Sequence, residues 1–326
     1  MRRSLELSAR ILVSAGLLAL IATKIPLEAF RKSLAEVDLL PMLVSYLFIP
    51  LMGYIDANRT KVMTDLQGLT LSVGAICRIG FITSFYSLFL PGHLAGGVVR
   101  WHRLQRQDKK PAEAFAIILF GRTLSTIVGV AIGLACWALD PLARQRPIYG
   151  WLLAGLLVGL LGLYTVLFTS GRARAIARWL FIGPWVPQFA AGKLEKVLAS
   201  AAKFEHLSGR RLAPTIALMV TSELLGVVSF YLVSIAVHMD LSLISVGWTR
   251  AYVNIVTLIP VSMLGMGVRE GSLIVMLRTY GIAPALALSY SVLLLTRTIV
   301  LGLLGGCCEA WNILRAKGGL IPGRAP

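Results

Sequence analysis

The sequence predicts an all-α polytopic membrane protein, and three observations carry that expectation. Apolar residues make up 57% of the 326 positions and charged ones only 14%, where soluble domains carry about a quarter. Several stretches, among them Pro147–Thr169, Pro214–Val237 and Pro284–Gly306, reach the ~18 apolar residues that cross a hydrocarbon layer. The basic residues fall in short segments between those stretches, as membrane topology demands.

Taken in order, the apolar segments are 5–23, 39–55, 71–90, 113–139, 147–169, 213–237, an interrupted 243–280, and 284–311. The first follows the basic Met1–Arg3, and Ala22-Thr23-Lys24 is no small-x-small cleavage site, so it reads as an uncleaved anchor. Residues 170–212 carry eight Lys and Arg around Trp179 and Trp185, the pattern of amphipathic helices lying at the interface. If every segment spans, the basic loops 91–112 and 170–212 fall outside. If 71–109 and 243–281 instead dip in and return, six segments span and both termini are cytoplasmic. The inner segments then hold 21 Lys and Arg against 5 outside, and the positive-inside rule selects this topology. The expected architecture is one membrane domain over 1–326, with half-repeats of about 1–169 and 213–326 joined by the basic segment 170–212.

The two interrupted segments share a pattern. Pro91-Gly92-His93-Leu94-Ala95-Gly96-Gly97-Val98-Val99-Arg100 and Pro260-Val261-Ser262-Met263-Leu264-Gly265-Met266-Gly267-Val268-Arg269 both read Pro-x4-Gly-x3-Arg. An Arg-Thr pair follows each, at Arg122-Thr123 and Arg297-Thr298. Two re-entrant hairpins entering from opposite faces form the inverted repeat of transporters, whose sites lie where broken helices meet. Pro91, Gly92, Gly96, Gly97, Pro260, Ser262, Gly265 and Gly267 would shape those breaks, since irregular backbone at membrane depth lines cavities. A helix N-terminus aimed at the interior favours an anion such as phosphate.

Six arginines lie within membrane segments: Arg78, Arg122, Arg250, Arg269, Arg278 and Arg297, against the deep acids Glu223 and Glu270. Arg78, Arg250 and Arg278 are near enough to segment ends to snorkel. Arg122 and Arg297 are mid-helix, where a charge costs at least ~2.5–3.5 kcal/mol. That excess points to an anionic ligand held by Arg100, Arg122, Arg269 and Arg297, with Glu270 beside them. Glu223 stands at the depth of Arg122 and reads either as its salt-bridge partner or as a gating acid.

Other chemistries find no support in the residues. The net charge of +17 forms no soluble basic face, so no nucleic acid is expected. Cys77, Cys136, Cys307 and Cys308 sit in apolar segments without metal-ligand spacing. No catalytic residue, metal or cofactor is expected. Glu270 alone could serve a membrane-embedded transferase, and a scaffold docking through 170–212 is a third reading.

Phe89-Leu90-Pro91-Gly92 with Gly96-Gly97 and Arg100 resembles the N-terminal motif of the lysylphosphatidylglycerol-synthase transmembrane family. Ile259-Pro260-Val261-Ser262, Gly265 and Gly267-Val268-Arg269-Glu270-Gly271 resemble its C-terminal motif, which continues through Tyr280-Gly281-Ile282 and Ala285-Leu286-Ala287. The resemblance implies a lipid flippase of the cytoplasmic (inner) membrane, here a stand-alone member without an aminoacyltransferase domain. Its implied partner is an anionic phospholipid, glycolipid or lipid-linked headgroup. The family carries acids around the arginine of the fourth segment, where this chain has Gly121 and Ser125.

Overall fold

The computed structural model describes residues 27–89, 93–168, 188–206, 209–257 and 267–317. Twelve α-helices and no strand occur among them. They are α1 (Leu27–Ala35), α2 (Leu39–Leu66), α3 (Val73–Phe89), α4 (His93–Gln105), α5 (Pro111–Leu139), α6 (Pro141–Arg144) and α7 (Pro147–Phe168). After them come α8 (Gln188–Ala202), α9 (Gly209–Ala236), α10 (Leu243–Val256), α11 (Val268–Leu277) and α12 (Pro284–Lys317). Four helices open on proline, at Pro111, Pro141, Pro147 and Pro284, where a missing N–H and a fixed φ suit the first turn.

Among the described residues, α2, α5, α7, α9 and α12 are long and apolar enough to cross a membrane. They coincide with five of the six expected spans; the sixth, 5–23, lies outside the described residues. The chain is thus a multi-pass membrane protein. By contrast α3, α10 and α11 have 17, 14 and 10 residues, short of the ~20 a helix needs.

One boundary corrects the sequence reading. Residues 56–66 are not a loop: α2 runs 28 residues to Leu66, about 42 Å. Its last turns hold charge through pairs at helical spacing, Arg59 with Asp56 and Lys61 with Asp65.

The helices interlock reciprocally. α9 lies along α2, α12 along α3, and α10 along α5. Small residues set the close approaches, as membrane packing requires. A Cβ on Gly305 of α12 would overlap the Phe81 carbonyl of α3, and one on Gly133 of α5 would overlap Ala251 of α10. Exposed Leu40, Leu47, Trp151 and Val158 cover the outer faces of α2 and α7, an apolar belt suited to lipid. The short helix α8 tucks under α5, where the following turn stacks Phe204 on Phe120 at 4.1 Å.

Candidate functional site

Four helices converge on a cavity of about 300 Å³ lined by Arg59, Thr60 and Met63 of α2, Gly96, Gly97 and Arg100 of α4, and Ile117, Ile118, Gly121 and Arg122 of α5. Thr83 and Ser87 of α3 complete it. The Arg100 Nη2 donates to Asp56 Oδ2 at 2.9 Å and to Thr60 Oγ1 at 3.0 Å. On the other oxygen of Asp56, Arg59 Nε donates at 2.8 Å, while Arg59 Nη1 reaches Ser125 Oγ. Arg122 makes no ion pair or side-chain hydrogen bond among the described residues. Two guanidinium groups therefore share one carboxylate while the third has none, leaving an excess of two positive charges among these four residues. The cavity approaches backbone at Gly96, where a Cβ would overlap Ser87 Oγ.

One turn further along the same face of α5 lies a second cavity of about 120 Å³. Its walls are Ser125, Thr126, Gly129 and Val130 of α5, Glu223 of α9, and Arg250, Ala251, Asn254 and Ile255 of α10. Arg250 Nη1 donates to Glu223 Oε2 at 2.6 Å. Glu223 is thus the partner of Arg250 rather than of Arg122. Arg250 and Arg297 both lie over the Phe230 ring, 5.3 and 5.7 Å from its centre. Their Nε atoms are buried without a hydrogen-bond partner among the described residues.

The second arginine motif is built differently. Arg269 Nη2 donates to Glu270 Oε1 at 2.7 Å and its Nε to Ser291 Oγ at 3.1 Å. Ser291 donates to that same carboxylate oxygen at 3.0 Å. The other oxygen of Glu270 accepts the Gly267 N–H at 2.6 Å, capping the α11 N-terminus. Gly267 has φ +84°, a conformation that favours glycine. Arg269 and Arg100 thus answer to different acids on different helices.

At the far end of α5 a buried network ties this helix to α10 and to the turn after α11. Asp140 accepts from Tyr280 Oη at 2.6 Å, from Ser245 Oγ at 2.8 Å and from the Leu142 amide at 3.0 Å. Burial alone would raise the Asp140 carboxyl, but these bonds hold it below the usual carboxylate value. Burial and the Asp140 contact push the Tyr280 phenol up.

Of the residues singled out from sequence, Gly96, Gly97, Arg100 and Arg122 line one cavity and Glu223 the other. Arg297 stands behind Phe230, and Gly267, Arg269 and Glu270 form the helix cap. Pro91, Gly92, Pro260, Ser262 and Gly265 lie outside the described residues. Sequence reasoning missed Asp56, Arg59 and Asn254, and marked Ser125 only as a place where the family carries an acid. Asp56 and Arg59 could have been found from their spacing of three, which places an ion pair on one helical face. No described group of three or more His, Cys, Asp or Glu could hold a metal.

Long apolar helices around arginine-lined cavities define a polytopic membrane protein. Residues 7–306 match the lysylphosphatidylglycerol synthase TM region family, and the chain belongs to that family. A comparison with curated proteins finds no match.

Proposed function

We propose that the protein translocates the headgroup of an anionic lipid across the cytoplasmic membrane. The observation that carries this reading is the first cavity, lined by Arg59, Arg100 and Arg122, where Asp56 pairs with the first two and Arg122 has no acid beside it among the described residues. An unneutralised guanidinium within a membrane span is costly, and a phosphate held in bidentate fashion offsets that cost. Family membership supports a connection to membrane lipids.

On this reading six helices span, counting 5–23, and the pairs α3–α4 and α10–α11 are re-entrant hairpins inserted from opposite faces. Support comes from the short helices of both pairs and from the reciprocal packing of α12 on α3 and α10 on α5. The two halves would then be inverted copies that share one domain, with both termini cytoplasmic. A cysteine placed at Gln105 should react with a membrane-impermeant reagent from the cytoplasmic side; labelling from outside alone would overturn this topology.

The deciding experiment is reconstitution in vesicles, scoring transfer of fluorescent or native anionic lipid between leaflets. Wild-type protein should accelerate it. Arg122→Ala removes no described ion pair, so it should keep the wild-type melting temperature while lowering lipid movement at least tenfold, given the ~1.5–3 kcal/mol of a charged hydrogen bond. Undiminished movement in that variant would remove the cavity from the mechanism.

A further inference from the structure

The two cavities are neighbours along one helix. Gly121, Ser125 and Gly129 lie at successive turns of α5, the first in one cavity and the last two in the other. One turn advances about 5.4 Å, a span that a single headgroup bridges. Ser125 stands at the divide, where it lines the second cavity and accepts from Arg59 of the first.

The second cavity is chemically distinct. Its acid, Glu223, is engaged by Arg250 at 2.6 Å, and Arg250 rests in turn over the Phe230 ring, which Arg297 covers as well. The remaining polar lining is Ser125, Thr126 and Asn254, all neutral donors or acceptors. Thr126 donates its hydroxyl proton to the Arg122 carbonyl at 2.8 Å, which leaves its oxygen lone pairs to accept. Along the two cavities Arg59, Arg100, Arg122 and Arg250 stand against Asp56 and Glu223, and each acid already has its partner. An incoming ammonium group would meet Arg250 beside it, the surplus charge of the first cavity one turn away, and no free carboxylate among the described residues. A hydroxyl group would meet complementary partners. At ~30 Å³ per water, the cavity's 120 Å³ holds about four waters, or one short polyol.

From this we infer that the second cavity is a headgroup-selecting subsite: with phosphate among Arg59, Arg100 and Arg122, it receives the uncharged polyol end of the lipid and rejects headgroups that carry an ammonium. This rests on the reading of the first cavity as a phosphate site, and it adds a substrate class to it: phospho-polyol lipids, with glycerol, inositol or sugar headgroups. Asn254 is the specificity residue easiest to alter, because it is exposed on α10 and makes no described side-chain hydrogen bond.

The test is native mass spectrometry of the full chain in detergent, with an equimolar mixture of phosphatidylglycerol and phosphatidylethanolamine of identical acyl chains. Wild-type protein should retain phosphatidylglycerol roughly tenfold in preference, the discrimination that misplaced charge gives. Asn254→Asp, which sets a free carboxylate in the cavity, should bring the ratio to about one or invert it. Asn254→Leu should weaken phosphatidylglycerol binding without gaining phosphatidylethanolamine. Equal retention of both lipids by the wild type overturns the inference, and so does an unchanged ratio in a folded Asn254→Asp. The vesicle assay separates this from the translocation reading. Selective binding with no lipid movement defeats translocation and leaves the subsite standing. Equal binding with movement of both lipids does the reverse.

Discussion

Arg100 and Arg269 end the same Pro-x4-Gly-x3-Arg pattern, but their surroundings differ in what they leave free. Arg100 shares Asp56 with Arg59 and lines an open cavity. Arg269 has 11% of its side chain exposed and is tied to Glu270 and Ser291, with Glu270 also capping α11. One motif position thus supports two uses: an arginine with charge to spare beside a cavity, and an arginine consumed in fastening a helix start. The acid decides between them. Glu270 follows Arg269 directly and can turn back to the Gly267 amide, whereas the residue after Arg100 is Trp101.

Substitutions that separate the two roles sharpen this contrast. The largest effect is expected from Arg269→Ala, which leaves Glu270 buried without its cation and should cost ~3–5 kcal/mol, read as a drop in melting temperature in detergent. A stable Arg269→Ala protein that fails only in lipid movement would make the two arginines equivalent and break the comparison. Next comes Arg100→Ala. Asp56 keeps Arg59, so stability should change little, while lipid movement falls roughly ten- to hundredfold for ~1.5–3 kcal/mol of lost binding. Arg100→Lys should recover only part, since an ammonium lacks the bidentate fork.

A smaller effect concerns the wall of the first cavity. Gly96→Ala pushes a methyl group into Ser87 Oγ and should cost ~1–3 kcal/mol, with relief when Ser87→Gly is added. Gly97→Ala meets nothing nearby and serves as the neutral control in the same thermal assay. The smallest is at the outer network. Because Asp140 is held below its ordinary value, its contribution is full above the usual carboxylate range and is lost as pH falls through its folded value. Melting temperature should therefore decline between about pH 7 and about pH 3 by less in Asp140→Asn than in wild type.

The five described helices of membrane length were legible because an apolar run of that length has few alternatives, and prolines marked where α5, α7 and α12 begin. The end of α2 was not, because Asp56, Arg59, Lys61 and Asp65 give a helix terminus the composition of a loop. Charge alone does not distinguish the two; pairing at i+3 and i+4 does. The arginine excess was legible in kind and misjudged in detail. Glu223 sits level with Arg122 in a linear count, yet α10 lies along α5 and brings Arg250 to it instead. Which helix neighbours which is a long-range fact that one sequence does not print. The same limit hid the partner of Ser125, which Arg59 reaches from a helix 66 positions away.

The modest size of the cavities has a consequence for the rest of the substrate. Spaces of about 300 and 120 Å³ admit a headgroup and no fatty chains. During passage the tails would stay in the bilayer, sliding along the apolar outer faces of the bundle. No hydrocarbon would then leave its own solvent, so tail length and unsaturation would add almost nothing to the barrier. On the translocation reading, a protein built this way would sort molecules by their polar end and be blind to the oily one, and a cell could remodel its fatty acids with temperature without retuning it.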